Sequence, residues 1–245
     1  MKKVLIITGG NKGIGKGIVD EYLKNDYTIF SLARTKNETE YYKKVNQLTI
    51  DLVNLDELSD CLTDILTQVD TESINCITLI NNAGTLGKIG KLENLEANDI
   101  AKSVNLNTTV PLLLSSIFLN QTANWPCKKS IINISSGAAH KIYSGWSVYG
   151  ATKAAVDMMT KNVAAEQEVN SNPTKVIAVY PGVVDTEMQT QIRASSKADF
   201  ASLDRFLELK SSNSLADPKT VGEKIYAIDQ SSVVKNGDLV NVNDY

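Results

Sequence analysis

Tyr149 and Lys153 stand four positions apart in Ser147-Val148-Tyr149-Gly150-Ala151-Thr152-Lys153, so on a helix they share one face. A free phenol titrates near ~10, and a neighbouring ammonium favours its phenolate and brings proton exchange closer to neutral pH. A phenol tuned in this way suits reversible proton transfer at a ketone oxygen. Taken alone, the pair is also an ordinary feature of a helix surface, so its meaning depends on what surrounds it.

A second group of residues could hold a nucleotide. Thr8-Gly9-Gly10-Asn11-Lys12-Gly13-Ile14-Gly15 follows an apolar run and opens a helical pattern. Glycines at 9, 13 and 15 let the backbone turn tightly and approach a pyrophosphate, while the helix N-terminus supplies amide donors and positive potential. Dinucleotide folds that select NAD place a carboxylate at the end of the second strand, on the ribose hydroxyl. Here Phe30-Ser31-Leu32-Ala33-Arg34-Thr35 ends in arginine, and Lys12 sits inside the glycine loop. Two cations converging on a 2′-phosphate imply NADP(H) rather than NAD(H); the competing reading makes both of them solvated surface charges.

These residues need a scaffold that gathers strand ends. Short β-branched runs at 4–7, 28–32, 48–50, 77–80, 130–134, 175–180 and 239–242 alternate with amphipathic stretches at 13–23, 55–69, 99–119 and 147–169. Asp217-Pro218 reads as an N-cap followed by proline at the first helical position. Alternation of this kind predicts an α/β fold: a single Rossmann-type domain over residues 1–245, with a doubly wound, parallel, seven-stranded sheet and helices on both faces. Its ligands belong at the carboxyl ends of the strands, where the motifs fall.

Bulk properties narrow the classes further. The 245 residues are 42% hydrophobic and 22% charged, enough to bury a sizeable core. The net charge of −3 gives none of the basic excess that phosphate-backbone binding needs, so nucleic acid is not an expected partner. The apolar run after Lys3 stops at Thr8-Gly9-Gly10, short for a signal peptide, and reads as a buried strand. No stretch approaches the ~20 apolar residues of a membrane span, so a cytoplasmic protein without a membrane partner is expected. Cys61, Cys76 and Cys127 lack the paired spacing of a zinc or redox site; no metal is expected, and buried thiols are the default.

The Gly-x-x-x-Gly-x-Gly turn, Asn81-Asn82-Ala83-Gly84, Ser103-Val104-Asn105-Leu106, Asn133-Ile134-Ser135-Ser136 and the Tyr149/Lys153 pair together resemble the short-chain dehydrogenase/reductase family over essentially the whole chain. Ser136 precedes Tyr149 by thirteen positions, the interval of that family's catalytic serine and tyrosine. The resemblance implies that Ser136 hydrogen-bonds the substrate oxygen and that Tyr149 gives it a proton. It implies too that Lys153 binds the nicotinamide ribose and tunes Tyr149, and that Asn105 holds a proton-relay water. For the cofactor it adds Asp51 with Leu52 beside the adenine, Asn82, Ala83 and Gly84 closing the cleft, and Pro181, Gly182, Val184 and Thr186 near the nicotinamide, alongside Asn11, Lys12 and Ile14 of the glycine loop. A mobile substrate loop would follow, over about 183–215; its Gln189, Gln191, Ser195 and Ser196 suit either a lid or a solvated helix. A homodimer through helices 99–119 and 147–169 is implied as well.

Within the family, Gly145-Trp146-Ser147-Val148-Tyr149, Pro181-Gly182-Val183-Val184-Asp185-Thr186-Glu187-Met188-Gln189 and Asn236-Gly237-Asp238-Leu239-Val240-Asn241-Val242 are most similar to the sepiapterin reductase and bacterial benzil reductase branch. Trp146 then stands beside the substrate, as a flat apolar wall or as core packing. Asn241 occupies the place of an aspartate that anchors a pterin, and a neutral amide loses that charge-assisted hydrogen bond. The implied activity is NADPH-dependent reduction of a small-molecule ketone, an aromatic or small 1,2-diketone such as benzil, with pterin side-chain reduction as the alternative. An extended-family sugar epimerase shares the Tyr/Lys pair but has a different glycine turn and a larger C-terminal domain. A catalytically silent NADPH sensor would have no use for the complete set of Asn105, Ser136, Tyr149 and Lys153.

Overall fold

The structure, a computed structural model, describes residues 2–245. Seven strands form one sheet: β1 (Lys3–Thr8), β2 (Thr28–Ala33), β3 (Asn46–Thr49), β4 (Cys76–Asn81), β5 (Lys128–Ile134), β6 (Lys175–Tyr180) and β7 (Leu239–Asn241). Their order is β3-β2-β1-β4-β5-β6-β7, and every pairing is parallel. The order reverses between β1 and β4, which opens a crevice at their carboxyl ends for a ligand.

Alternation along each strand sends side chains to two separate cores. Val4 and Ile6 of β1 face α2 (Leu55–Thr67), whose Leu58, Leu62 and Ile65 are fully buried, together with Leu114 and Phe118 of α4 (Val110–Thr122). Leu5 and Ile7 face α1 (Gly13–Lys24) and α8 (Pro218–Gln230), meeting Ile18 and Ile225. The Asp217 side chain accepts from the Thr220 amide, with Pro218 in the first turn of α8, the capping arrangement anticipated from the sequence.

A third apolar cluster lies over the sheet's carboxyl edge. There Trp146, Tyr149, Phe200 and Phe206 pack with Ile192 and Leu203. The segment about 183–215 folds as two short helices, α6 (Glu187–Arg193) and α7 (Leu203–Ser211). Gln189 is 1% exposed while Gln191 lies on the surface, so α6 has an inner and an outer side. Among the described residues, no helix is long and apolar enough to cross a membrane.

Two elements depart from the pattern read in the sequence. The strand expected at 48–50 runs over Asn46–Thr49 and is half exposed, because β3 is an edge strand paired only with β2. Apolar runs reveal strands covered on both faces and are poor guides to edges. The single helix expected over 99–119 is two: α3 (Ala97–Val104) and α4, joined by a π-helical turn over Asn105–Thr109 in which the Val110 amide reaches back to the Asn105 carbonyl. Pro111 has no N–H to return to the carbonyl of Asn107, so regular α-helical bonding fails there.

Candidate active site

Helix α5 (Ser147–Gln167) carries the reactive pair. One turn apart on its inner face, Tyr149 is 6% and Lys153 is 5% exposed, and Lys153 Nζ lies 5.8 Å from the centre of the Tyr149 ring. A buried ammonium needs partners. Lys153 Nζ donates to the Ile134 carbonyl at the end of β5, at 2.8 Å. Burial still drives the lysine down to about 8, opposed by the negative charge of Asp157. The phenol of Tyr149 is raised by the same burial, with the Ser136 hydroxyl acting against that rise. In the protein alone the group brought towards neutral pH is therefore the lysine, while desolvation of the phenolate dominates at Tyr149.

Asp157, one turn beyond Lys153, ties three walls of the site together. Its carboxylate accepts from Ser135 Oγ at 2.6 Å and from the Tyr180 hydroxyl at 2.6 Å. Those partners stand next to Ser136, after β5, and next to Pro181, after β6. Ser136 Oγ accepts from the Ala138 amide at 3.1 Å, which fixes the serine at the head of a short turn.

The structure moves the asparagine. Asn105 is exposed, and its carboxamide accepts only a long 3.4 Å bond from Thr109. Asn107 is 1% exposed: its Oδ1 accepts from the Thr85 amide (2.9 Å), and its Nδ2 donates to the Thr85 carbonyl (2.8 Å) and to Thr152 Oγ1 (3.1 Å). A side chain on Gly84 would come within 3.4 Å of Asn107 Oδ1 and 3.5 Å of Lys153 Nζ, so Asn107 and Lys153 border the same space. Asn107, two residues on from Asn105, is therefore the asparagine that borders this space. Two positions turn a helical side chain to another face, and Pro111, four after Asn107, was the available signal.

The glycine turn joins this site at the end of β1. Gly9 and Gly13 adopt left-handed backbone with φ of 67° and 53°, which side chains beyond glycine rarely tolerate. A Cβ on Gly15 would collide with the Gly9 carbonyl. Asn82 Nδ2 donates to the carbonyls of Thr8 (2.9 Å) and Gly9 (3.0 Å), and Thr8 Oγ1 accepts from the amides of Asn82 and Ala83. Asn11 Nδ2 donates to the Thr35 carbonyl, pinning the loop to the end of β2. Helix α1 begins without a side-chain cap and without an acidic residue in its first turn. Its free amides, the close glycine backbone and the space beside Gly84 fit a dinucleotide's phosphates and nicotinamide ribose.

Farther out, Arg34 is exposed just after β2, as is Asp51 after β3, whereas the neighbouring Leu52 is buried. Lys12 is not free beside Arg34: its ammonium pairs with Glu187, the first residue of α6. Val184 bridges to Ala216, and the Thr186 methyl lies 3.3 Å from where a Cβ on Gly13 would stand.

A cleft of about 300 Å³ unites these parts. Ile14, Asn82, Gly84, Ser136, Tyr149 and Lys153 line it, and so do Pro181, Gly182, Val184 and Thr186. Trp146 and Asn241, singled out for substrate, line it too. Trp146 stacks on Phe200 at 4.7 Å and meets Tyr149 edge-on at 5.5 Å, so it serves as both wall and packing. Asn241 Oδ1 accepts from the Asn243 amide at 3.0 Å, which leaves its NH2 group available to the cleft. Gln189 of the expected substrate loop lines it, and so do His140, Lys141, Tyr143, Arg205 and Asn243, to which sequence reasoning assigned no role. The Trp146 and Gln189 side-chain N–H groups are buried without a partner among the described residues.

Residues 3–197 match the short chain dehydrogenase family. The chain is 36% identical to benzil reductase ((S)-benzoin forming) of Bacillus subtilis (strain 168), covering 99% of each protein. It is 30% identical to sepiapterin reductase of Mus musculus over 98% of this chain and 97% of that one. Among solved structures, that of ElxO with NADP bound is similar with a TM-score of 0.81 and 26% identity, covering 99% of this chain and 97% of the other. A parallel sheet gathering a glycine turn, a serine and a buried Tyr/Lys pair into one cleft, together with these likenesses, establishes that the chain belongs to the short chain dehydrogenase family.

Proposed function

We propose that this protein is an NADP(H)-dependent carbonyl reductase that converts one carbonyl of a compact or aromatic 1,2-diketone to an alcohol, giving a hydroxyketone. The observation that carries this reading is the placement of Tyr149 and Lys153, both buried, on the wall of a cleft that also holds Ser136 and the glycine turn. The similarity to proteins named benzil reductase and to ElxO with NADP bound supports it.

A reduced nicotinamide cofactor bound at the glycine turn would supply the hydride for the carbonyl carbon. Tyr149 donates its proton to the oxygen, and its high affinity for that proton in the buried site keeps it protonated until the oxygen gains charge. The Ser136 hydroxyl donates to the same oxygen. Lys153 holds the nicotinamide ribose and, when charged, stabilises the phenolate left behind. Asn107, locked on Thr85 beside Gly84, holds the relay water. Arg34, exposed at the end of β2 with no carboxylate taking up its charge among the described residues, reads the 2′-phosphate. A 1,2-diketone offers a second oxygen to the unpartnered donors of Trp146 and Gln189.

The protein acts in the cytoplasm as a homodimer. Exposed Val104, Leu112 and Met158 on α3, α4 and α5 supply the apolar face; sedimentation as a monomer at micromolar concentration would remove this part alone.

Cofactor titration is expected to favour NADPH over NADH, with the ratio falling about tenfold or more in Arg34→Ala, the size of one charge-assisted contact. Equal affinities, or an unaltered ratio in the variant, contradict the 2′-phosphate assignment.

For substrate, kcat/KM with NADPH is expected to rank benzil and a small aliphatic diketone above sepiapterin. Asn241→Asp, which keeps the acceptor for the Asn243 amide, is expected to gain on sepiapterin by about 1.5–3 kcal/mol of charged hydrogen bonding. A wild-type preference for sepiapterin, or no gain in the variant, rejects the diketone.

The buried lysine also sets a pH dependence of stability. Between about 8, where native Lys153 loses its proton, and the ~10.4 of an unfolded lysine, the unfolded chain binds the extra proton, so stability rises with pH. Relative to Lys153→Met, the cofactor-free wild type is expected to gain up to ~1.4 kcal/mol per pH unit from pH 8 to 10 in denaturant unfolding. Below pH 8 and above ~10.4 the difference is flat, because native and unfolded Lys153 then bind the same number of protons. A flat difference from pH 8 to 10 would mean that native Lys153 stays charged.

A further inference from the structure

The residues lining the cleft include no Asp or Glu, although the chain carries 28 acidic residues against 25 basic ones. They do include Arg205 of α7 and Lys141, which follows the turn after Ser136. Among the described residues no carboxylate lies within ion-pair distance of either.

Arg205 stands apart from its neighbours on the same segment. Lys197 pairs with Asp204, Lys210 pairs with Asp185 at 2.7 Å, and Arg193 is taken up by Gln189 and Thr190 of its own helix. Arg205 instead reaches across the cleft, donating from Nη1 to the Tyr143 hydroxyl at 2.9 Å, with its guanidinium 5.9 Å from the Phe206 ring centre. This tether orients the cation without neutralising it. Tyr143 packs on Trp146 at 4.8 Å, and Trp146 on Tyr149 at 5.5 Å. The guanidinium is therefore two aromatic steps from the reacting phenol, along the wall that a flat substrate would follow.

We propose that the cleft selects carbonyl substrates bearing a carboxylate at the end remote from the reacting carbonyl, read by Arg205 with Lys141 as a second cation. A guanidinium offers several donors in a fixed plane suited to carboxylate oxygens, and a cleft without acidic groups repels no anion. The glycine turn, at the head of α1, would hold the cofactor's phosphates, whereas Arg205 is bonded to Tyr143, which packs on Trp146, so the two charge sites serve different ends of the cleft. This inference rests on the diketone-reductase reading and deepens it: aromatic surface carries the body of the substrate, and the rim reads its charge.

The test measures binding rather than turnover. Protein loaded with NADP+, which cannot reduce the diketone, is titrated calorimetrically with benzil and with 4-carboxybenzil. The carboxylated compound is expected to bind about tenfold or more tightly, the size of one charge-assisted hydrogen bond. That ratio is expected to collapse towards one in Arg205→Met and to shrink as salt is raised. Equal affinities in the wild type, or a preference that survives Arg205→Met combined with Lys141→Met, overturns the proposal. Failure of the reductase reading shows separately, as absence of NADPH oxidation with either diketone, while the affinity ratio remains measurable.

Discussion

The site depends on keeping a lysine ammonium inside the protein. An isolated charge of that kind costs several kcal/mol to bury, and the fold offsets part of that cost with the Ile134 carbonyl and the nearby negative charge of Asp157. Both partners are supplied by elements that also position the cleft residues: β5 leads into Ser135 and Ser136, α5 carries Tyr149, and β6 ends in Tyr180 before Pro181. Because Asp157 accepts from Ser135 and Tyr180 together, the contacts that make Lys153 tolerable also set the spacing of the walls around it.

The same economy appears one layer deeper. Asn81 Nδ2 donates to Asn133 Oδ1, and Asn133 Nδ2 donates to Thr160 Oγ1, a buried chain of amides from β4 through β5 to α5. Asn82 carries the connection to the glycine turn through the Thr8 and Gly9 carbonyls. Buried donors without partners would be destabilising, so each of these N–H bonds is a constraint on register as well. They hold the glycine turn and α5 in one frame, while the aromatic cluster under α6 and α7 covers the cleft.

Local spacing made much of this legible in the sequence. The interval of Tyr149 and Lys153 survives folding because a regular helix keeps four-apart residues on one face, and the glycine turn survives because its backbone demands are local. What escaped was set by breaks and by distant partners. Asn105 comes from the resemblance of Ser103-Val104-Asn105-Leu106 to a family segment, a local match blind to the π-helical turn before Pro111, where Asn107 is the asparagine that enters the core. The pairing of Lys12 with Glu187 joins residues far apart along the chain, which local spacing does not show. Arg205 and Tyr143 meet only because α7 folds back over the cleft, a contact that no periodicity announces.

The central claim is that Tyr149 is the proton donor and that its surroundings exist to make it one. The most direct measurement compares Tyr149→Phe with the wild type for NADPH affinity and for turnover of benzil. The variant is expected to bind NADPH nearly as well, since the ring and its packing on Trp146 persist, while turnover falls by at least ~100-fold, the loss expected for a positioned acid. Near-normal turnover in Tyr149→Phe would show that another group supplies the proton and would contradict the account.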